Sequence, residues 1–111
     1  MKIITLNANG IRSAASKGFF DWMRQQNPDL VCIQETKAQQ HQLQDRMFFP
    51  EGYHCWYHDA LKPGYSGTAI YSRHQPDRVK QGLGWDVMDH EGRWLQADFG
   101  GLSVISLYLQ S

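Results

Sequence analysis

The chain has 111 residues, of which 41% are hydrophobic and 13% aromatic, and this is enough for one small globular domain. Eleven lysines and arginines balance eleven aspartates and glutamates, which excludes the strongly basic composition that marks many nucleic-acid-binding proteins. A nucleic-acid partner must therefore be argued from individual residues.

No stretch approaches the roughly 18 apolar residues of a membrane span, and the first segment, Lys2–Leu6, has the pattern of a short strand rather than of a signal peptide. The two cysteines, Cys32 and Cys55, have neither a Cys-x-x-Cys spacing nor a disulfide-dense setting. We expect a cytoplasmic protein with buried thiols and without membrane contact.

The first predicted strand ends at residues 7–10 (Asn-Ala-Asn-Gly), a composition typical of a turn or of a functional loop. Small residues follow from Ser13 to Ser16, with Arg12 before them and Lys17 after them. Such a stretch either brings the backbone close to a phosphate or forms a solvated loop.

A helix is predicted from Ser16 to Gln26, with Ser16 as its N-cap and with Phe19 and Met23 four residues apart on its buried face. The Asn-Pro pair at 27–28 ends it, because the residue before a proline is pushed out of the helical region.

The apolar run Leu30–Ile33 predicts a central strand that is buried on both faces and ends at Gln34. Glu35 then lies where the core stops, with Lys37 on the same side two residues on. A carboxylate in this position suits a hard cation such as Mg²⁺, which favours oxygen ligands. It also fits an ordinary solvated strand end, and the residues of this stretch alone leave both interpretations open.

The second half of the chain is predicted to be mostly strands. A short surface helix is expected from Ala38 to Arg46, and a glycine-rich loop at 62–67 either brings backbone amides to an anion or forms a plain hairpin turn. The predicted strands are 53–58, 68–72, a short exposed strand or turn at 78–82, 94–99 and 102–108. A linker at 83–88 and a charged turn at 89–93 precede the last two strands.

With only one substantial helix predicted, one face of the sheet stays uncovered. The chain therefore pairs with something or is part of a longer chain.

Five short motifs occur in a fixed order: NxNGIR at 7–12, DLVCIQETK at 29–37, GYSG at 64–67, EGR at 91–93 and VISLYL at 104–109. The ordered set resembles the N-terminal half of exonuclease III-type apurinic/apyrimidinic (AP) endonucleases, which belong to the endonuclease/exonuclease/phosphatase superfamily. The resemblance covers Met1 to Ser111, with one departure at Gln110, where the family usually has a proline.

The resemblance implies a four-layered α/β sandwich, in which two mixed sheets pack face to face and helices cover the outsides. Residues 1–111 would form roughly the N-terminal half of this single domain, or about one of its sheets. It also implies a metal-dependent DNA-repair nuclease that hydrolyses phosphodiester bonds of double-stranded DNA at abasic sites and at 3′ ends. The implied side activities are 3′-to-5′ exonuclease and 3′-phosphatase, and the full-length protein is expected to be a monomer.

The resemblance also assigns roles to residues. Glu35 corresponds to the metal-binding glutamate and Asn9 to the position that supports the metal site, with Mg²⁺ as the expected ion and Mn²⁺ as a substitute. Asn7 corresponds to the asparagine that holds the catalytic aspartate, Tyr108 to the tyrosine that contacts the scissile phosphate, and Lys37 to a partner of the metal site. Four further residues match positions at or near the DNA backbone: Arg12, Lys17, Tyr65 and Arg93.

The family's water-activating aspartate lies in a Gly-Asp-x-Asn motif and its phosphate-binding histidine in a Ser-Asp-His motif. Neither motif occurs in these 111 residues, so we expect the chain alone to be inactive and to be a fragment of an active enzyme. Two other functions stay open: a superfamily phosphoesterase acting on a phospholipid, an inositol phosphate or RNA, and a non-catalytic DNA-binding or assembly module. The loops at 9–12 and 64–67 favour the DNA-repair branch.

Overall fold

The computed structural model describes residues 1–109, so the departure from the family pattern at Gln110 lies outside the described residues. The seven strands are β1 Ile3–Asn7, β2 Leu30–Gln34, β3 His54–His58, β4 Thr68–Ser72, β5 Arg78–Gln81, β6 Trp94–Phe99 and β7 Leu102–Leu107. The helices are α1 Ile11–Ser16, α2 Phe19–Gln26 and α3 Asp86–Asp89, with short 3-10 turns at Gln40–Gln42 and Arg46–Phe48. Within the described part of the chain, no helix is long and apolar enough to cross a membrane.

The strands form two sheets. The first has the order β1-β2-β4-β3, in which β1 and β2 are parallel and the other pairs antiparallel. The second is an antiparallel sheet of β5, β6 and β7. The expectation that the chain forms about one sheet is therefore wrong, because β5–β7 pair with one another and not with the first sheet.

Strand β2 is buried on both faces, as its apolar run predicted. One face packs beneath α1 and α2, where Val31 and Ile33 contact the helical residues Phe20 and Met23 in one hydrophobic core. The other face packs on the second sheet in a smaller core, which contains Leu30, Cys32, Ile70, Leu95 and Ala97. The described residues thus stack in three layers: helices, four-stranded sheet and three-stranded sheet.

The predicted helix Ser16–Gln26 is confirmed only from Phe19 on, and a separate helix, α1, precedes it. The backbone turns at Gly18, which lies at φ 90°, and α2 begins only at Phe19. Ser16 ends α1 instead of capping α2, and its hydroxyl donates to the carbonyl of Ser13 at 2.7 Å. The residues expected to form a loop between Arg12 and Lys17 are therefore helical, while the predicted end at Gln26 is confirmed.

The predicted helix Ala38–Arg46 is wrong. Its glutamine side chains bond to backbone groups instead: Gln39 Nε2 donates to the carbonyl of Leu61 at 3.0 Å, and Gln40 Nε2 donates to that of Tyr57 at 3.1 Å. These contacts tie the segment to β3 and to the chain just after it, and the segment contains a 3-10 turn at Gln40–Gln42 and the start of a second at Arg46 where a surface helix was expected.

The predicted linker 83–88 contains the first residues of α3. The Asp89 carboxylate accepts from the backbone amides of Leu83 and Gly84 at 2.8 and 3.0 Å, which ties this helix to the segment before it.

Candidate active site

The end of β2 lies beside the end of β1 because the two strands are parallel and in register. Their backbone pairing continues past the strands: the amide of Gly10 donates to the carbonyl of Glu35 at 2.9 Å, and that of Ile11 to Thr36 at 2.9 Å. Parallel strands present their carboxyl ends at one edge of the sheet. The loop after β1, which contains Asn9, is thereby fixed against Glu35.

Three residues at this edge have backbone conformations in the left-handed region. Asn9, Glu35 and Lys37 have φ values of 46°, 58° and 53°. Asparagine tolerates this region, whereas Glu and Lys adopt it at a cost of roughly 1–2 kcal/mol each. Such conformations are kept where the surrounding structure requires them, and they concentrate at functional sites.

The ammonium of Lys37 lies between the side-chain oxygens of its two neighbours. Its Nζ is 2.6 Å from Asn9 Oδ1 and 3.3 Å from Glu35 Oε1. Two oxygens, one from the β1 loop and one from the end of β2, therefore converge on a single positive charge. The predicted proximity of Glu35 and Lys37 is confirmed, and Asn9 joins them.

The donor set fits a hard divalent cation. Mg²⁺ in proteins is held through one or two carboxylates and keeps several of its waters, and here one carboxylate and one amide oxygen face the same position. Among residues 1–109, no three His, Cys, Asp or Glu side chains are grouped closely enough to hold a metal ion by themselves. The described residues therefore supply part of a coordination shell.

Asn7 shapes the β1 loop. Its Oδ1 accepts from the backbone amide of Asn9 at 3.0 Å, the local bond by which asparagine stabilises a turn. The expected contact of Asn7 with a catalytic aspartate involves a motif that this sequence lacks, so that role stays a prediction.

The loop 64–67 packs against the segment that follows Glu35. The carbonyls of Ser66 and Gly67 accept from the amides of Lys37 and Thr36 at 2.8 and 3.1 Å. A Cβ at Gly67, which lies at φ 91°, would be 2.1 Å from Thr36 Oγ1. The glycine thus permits a close approach that fixes the backbone on both sides of Thr36.

Tyr108 follows β7 in the second sheet, and one polar bridge joins this strand to β2. Buried Ser106 donates through its Oγ to the carbonyl of Ile33 at 2.8 Å and accepts from Gln34 Nε2 at 3.2 Å. Ser106 lies two residues before Tyr108, and Gln34 one residue before Glu35. The bridge therefore brings Glu35 and Tyr108 to the same edge of the two packed sheets.

Tyr65 and Arg93, both predicted to lie near DNA, contact each other, and Arg93 also contacts Tyr108. Arg93 Nη2 donates to Tyr65 Oη at 2.8 Å, and Arg93 Nη1 donates to the Tyr108 carbonyl at 3.3 Å. The guanidinium carbon is 5.3 Å from the centroid of the Tyr108 ring. Only 11% of the Arg93 side chain is exposed, so the arginine is part of the framework around Tyr108.

Sequence analysis missed Glu91, whose carboxylate joins this group. Its Oε2 accepts from Arg93 Nε at 2.5 Å and from Tyr65 Oη at 3.1 Å. The hydrogen bond from Arg93 holds the pKa of Glu91 below its usual value. Burial is the largest single influence on the pKa of Arg93 and lowers it, but the hydrogen bonds and charges of Glu91 and Tyr65 together outweigh burial, so the pKa of Arg93 is raised. The signal available in the sequence was the EGR motif itself, which contributes to the family resemblance but gave a role to Arg93 and none to Glu91.

Arg12 and Lys17 are exposed on the other side of the edge, on and just after α1. Lys17 lines a cleft of about 530 Å³ together with Asn7, Asn9 and Trp22. The predicted residues therefore form two groups, one around Asn9 and Glu35 and one around Tyr108, and the bridge through Ser106 connects them.

Comparison with known proteins gives one family. The model described as the Endonuclease/Exonuclease/phosphatase family matches residues 4–109. The chain is 38% identical over 109 residues to an exodeoxyribonuclease of Bacillus subtilis and 36% identical over 111 residues to the DNA repair nuclease APEX1 of Danio rerio. These alignments cover 97% and 98% of this chain but 42% and 36% of the two relatives.

Solved structures agree with these matches. An AP endonuclease from Archaeoglobus fulgidus superposes with a TM-score of 0.81 at 33% identity, covering 97% of this chain and 40% of that one. The 3′ phosphatase NExo from Neisseria, bound to a product DNA hairpin, gives a TM-score of 0.81 at 30% identity, covering 97% and 41%. The predicted resemblance and fold class are confirmed, and the chain spans less than half the length of these relatives.

Proposed function

Because this chain belongs to the endonuclease/exonuclease/phosphatase family, we propose that the protein is a DNA-repair nuclease that hydrolyses DNA phosphodiester bonds at abasic sites. The proposal includes 3′-to-5′ exonuclease and 3′-phosphatase activities, double-stranded DNA with abasic sites or 3′ ends as substrate, and a monomeric full-length protein. It also includes a cytoplasmic location. The nucleases of the family depend on a metal ion, and we propose Mg²⁺ for this protein, with Mn²⁺ as a substitute.

The observation that carries the proposal is the convergence of Asn9 Oδ1 and Glu35 Oε1 on the ammonium of Lys37, at 2.6 and 3.3 Å, where the backbone is held in the left-handed region. A solvated strand end has no need of this arrangement. Oxygen ligands already directed at a positive charge support a cation site at Glu35.

The roles follow from the chemistry of each group. Glu35 and Asn9 would hold the metal ion, which when bound neutralises charge on the phosphate in the transition state. The hydroxyl of Tyr108 donates a hydrogen bond to a non-bridging oxygen of the scissile phosphate, where negative charge develops. Lys37 contacts both of these side chains and would be a partner of the metal site.

The DNA backbone is proposed to lie across Arg12 and Lys17, which are exposed beside the loop of Asn9. A positive side chain near a phosphate contributes affinity without reading sequence, and it makes binding sensitive to salt. Tyr65 and Arg93 would line the opposite side of the same path, next to Tyr108.

The proposal assigns no general base to this chain. The Gly-Asp-x-Asn and Ser-Asp-His motifs are absent from its 111 residues, so the group that activates water and the histidine that binds the phosphate are not supplied by it. We therefore propose that the 111-residue chain alone binds metal and DNA without turnover.

A substrate panel tests the proposal. The full-length protein is incubated in the presence of Mg²⁺ with one of four substrates at a time: a duplex carrying one abasic site, the same duplex undamaged, a single-stranded RNA or an inositol phosphate. We expect incision of the abasic duplex at a rate far above the other three. Preferential hydrolysis of the RNA or of the inositol phosphate would replace the DNA-repair function by another phosphoesterase. Salt-dependent DNA binding without cleavage of any substrate would favour the non-catalytic module.

A further inference from the structure

We propose that Glu91 is a positioning residue, which acts through Arg93 to fix the ring of Tyr108 at the functional edge of the two sheets. The inference rests on the proposed function for its catalytic consequence. Its structural basis is independent of that function, because it depends only on contacts among described residues.

Glu91, Arg93 and Tyr65 form a closed triangle of hydrogen bonds. Glu91 Oε2 accepts from Arg93 Nε at 2.5 Å and from Tyr65 Oη at 3.1 Å, while Arg93 Nη2 donates to Tyr65 Oη at 2.8 Å. The side chains of Glu91 and Arg93 are 30% and 11% exposed, so this pair is better shielded from water than a surface ion pair. A planar guanidinium held at two of its nitrogens has a defined orientation.

That orientation reaches Tyr108. The guanidinium carbon of Arg93 is 5.3 Å from the centroid of the Tyr108 ring, within the range of a cation–π contact. Arg93 Nη1 also donates to the Tyr108 carbonyl at 3.3 Å, and the Arg93 carbonyl accepts from the Tyr108 amide at 3.0 Å. Without Glu91 the guanidinium would lose the hydrogen bond at its Nε, which is one of the contacts that fix its plane, and the ring packed on it would be held less firmly.

The backbone of the EGR turn is held by other contacts. A Cβ at Gly92 would be 2.5 Å from the carbonyl oxygen of His58, and Thr68 Oγ1 donates to the Gly92 carbonyl at 3.0 Å. The turn therefore stays in place when the Glu91 side chain is changed. The effect of Glu91 is confined to the orientation of its partners.

A matched control lies on β6, in the strand pair β6–β7 that separates Arg93 from Tyr108 in the sequence. Asp98 is also a carboxylate that accepts several hydrogen bonds, and those from Gln96, Ser103 and Arg78 hold its pKa below the usual value. It pairs with Ser103 near the far end of β6 and β7, whereas Tyr108 follows the opposite end. Asp98→Asn thus removes a comparable charge away from Tyr108.

The test compares Glu91→Gln and Asp98→Asn in the full-length protein, with two readouts. The first is the NMR signal of the Arg93 Nε–H group, identified by its loss in Arg93→Lys. We expect it to shift and to exchange faster with water in Glu91→Gln, and to be unchanged in Asp98→Asn. The second is cleavage of the abasic duplex, for which we expect kcat to fall about tenfold in Glu91→Gln, with KM within about twofold, as for a displaced catalytic group.

A double variant decides whether the effect passes through Tyr108. In a Tyr108→Phe background the hydroxyl to be positioned is gone, so Glu91→Gln should cause almost no further loss of kcat. A full additional loss, or a kcat in Glu91→Gln equal to that of Asp98→Asn, would overturn the inference. If the full-length wild-type protein cleaves no DNA, the proposed function fails, and the Arg93 signal alone then decides: an unchanged signal in Glu91→Gln overturns the positioning role, and a shifted one supports it.

Discussion

Replacing Gly67 by alanine is expected to destabilise the protein through one identifiable contact. Gly67 lies at φ 91°, where an alanine pays a penalty of about 1–2 kcal/mol. Its Cβ would also be 2.1 Å from Oγ1 of Thr36, a side chain that is only 2% exposed and has little room to move. Overpacking of this kind costs about 1–3 kcal/mol, so the free energy of unfolding should fall by about 2–5 kcal/mol in total.

Gly64 in the same loop provides the control. It lies at φ 68°, but a Cβ added there has no heavy atom within 4 Å. Gly64→Ala should therefore lower the free energy of unfolding only through the backbone penalty, by about 1–2 kcal/mol. The difference between the two variants isolates the contact with Thr36.

Urea unfolding followed by circular dichroism measures both variants, with an unchanged m value as the sign that the unfolded state is the same. Adding Thr36→Ala to Gly67→Ala removes the clashing oxygen, so the two changes together should cost less than the sum of their separate effects. Equal losses for Gly67→Ala and Gly64→Ala, or simple additivity with Thr36→Ala, would refute the packing argument.

Three further predictions concern the edge of the sheets and its surroundings. Lys37→Met removes the positive charge that competes for Glu35, so Mn²⁺ binding measured by electron paramagnetic resonance should tighten by up to about fivefold; weaker binding would contradict the arrangement. Ser106→Ala removes two hydrogen bonds, one to the buried carbonyl of Ile33 and one from Gln34 Nε2, and should lower the free energy of unfolding by about 1–3 kcal/mol, which urea titration would measure; a neutral result would exclude the bridge as a stabilising link. The pKa of Asp98 is lower in the folded protein than in the unfolded chain. The ionised carboxylate therefore stabilises the fold above the unfolded-state pKa, and this stabilisation is lost as the pH falls through the folded-state pKa. The stability difference between wild type and Asp98→Asn should thus be constant above about pH 5 and shrink below about pH 4; a gap that widens on acidification would reverse the sign.

The strands could be predicted from the sequence because their patterns are local. The run Leu30–Ile33 needed only its four apolar residues to be placed in the centre of a sheet, and the position of Glu35 followed from where that run stops. Local composition also placed β6 and β7, which were expected at 94–99 and 102–108. Helix α1 was not expected, and α2 begins later than Ser16, a favoured N-cap residue, because the chain turns at Gly18.

The division into two sheets could not be predicted, because it depends on which strands pair and not on what each strand contains. Glu91 was missed for the same reason: its partner Tyr65 is 26 residues away, and only the fold brings them together. Tyr108 was recognised through the family resemblance alone, since a tyrosine after a strand has no distinctive local pattern.

The most direct test is the metal-dependent incision of an abasic duplex by the full-length protein, compared as wild type, as Glu35→Gln and as the control Glu51→Gln. Glu51 is an exposed glutamate in the turn before β3, away from Asn9 and Lys37. We expect wild type and Glu51→Gln to cleave at similar rates when Mg²⁺ is present and not in EDTA, and Glu35→Gln to be slower by roughly 100-fold or more. Incision by Glu35→Gln at the wild-type rate, or incision by wild type in EDTA, would contradict the assignment of Glu35 as the metal ligand of a DNA-repair nuclease.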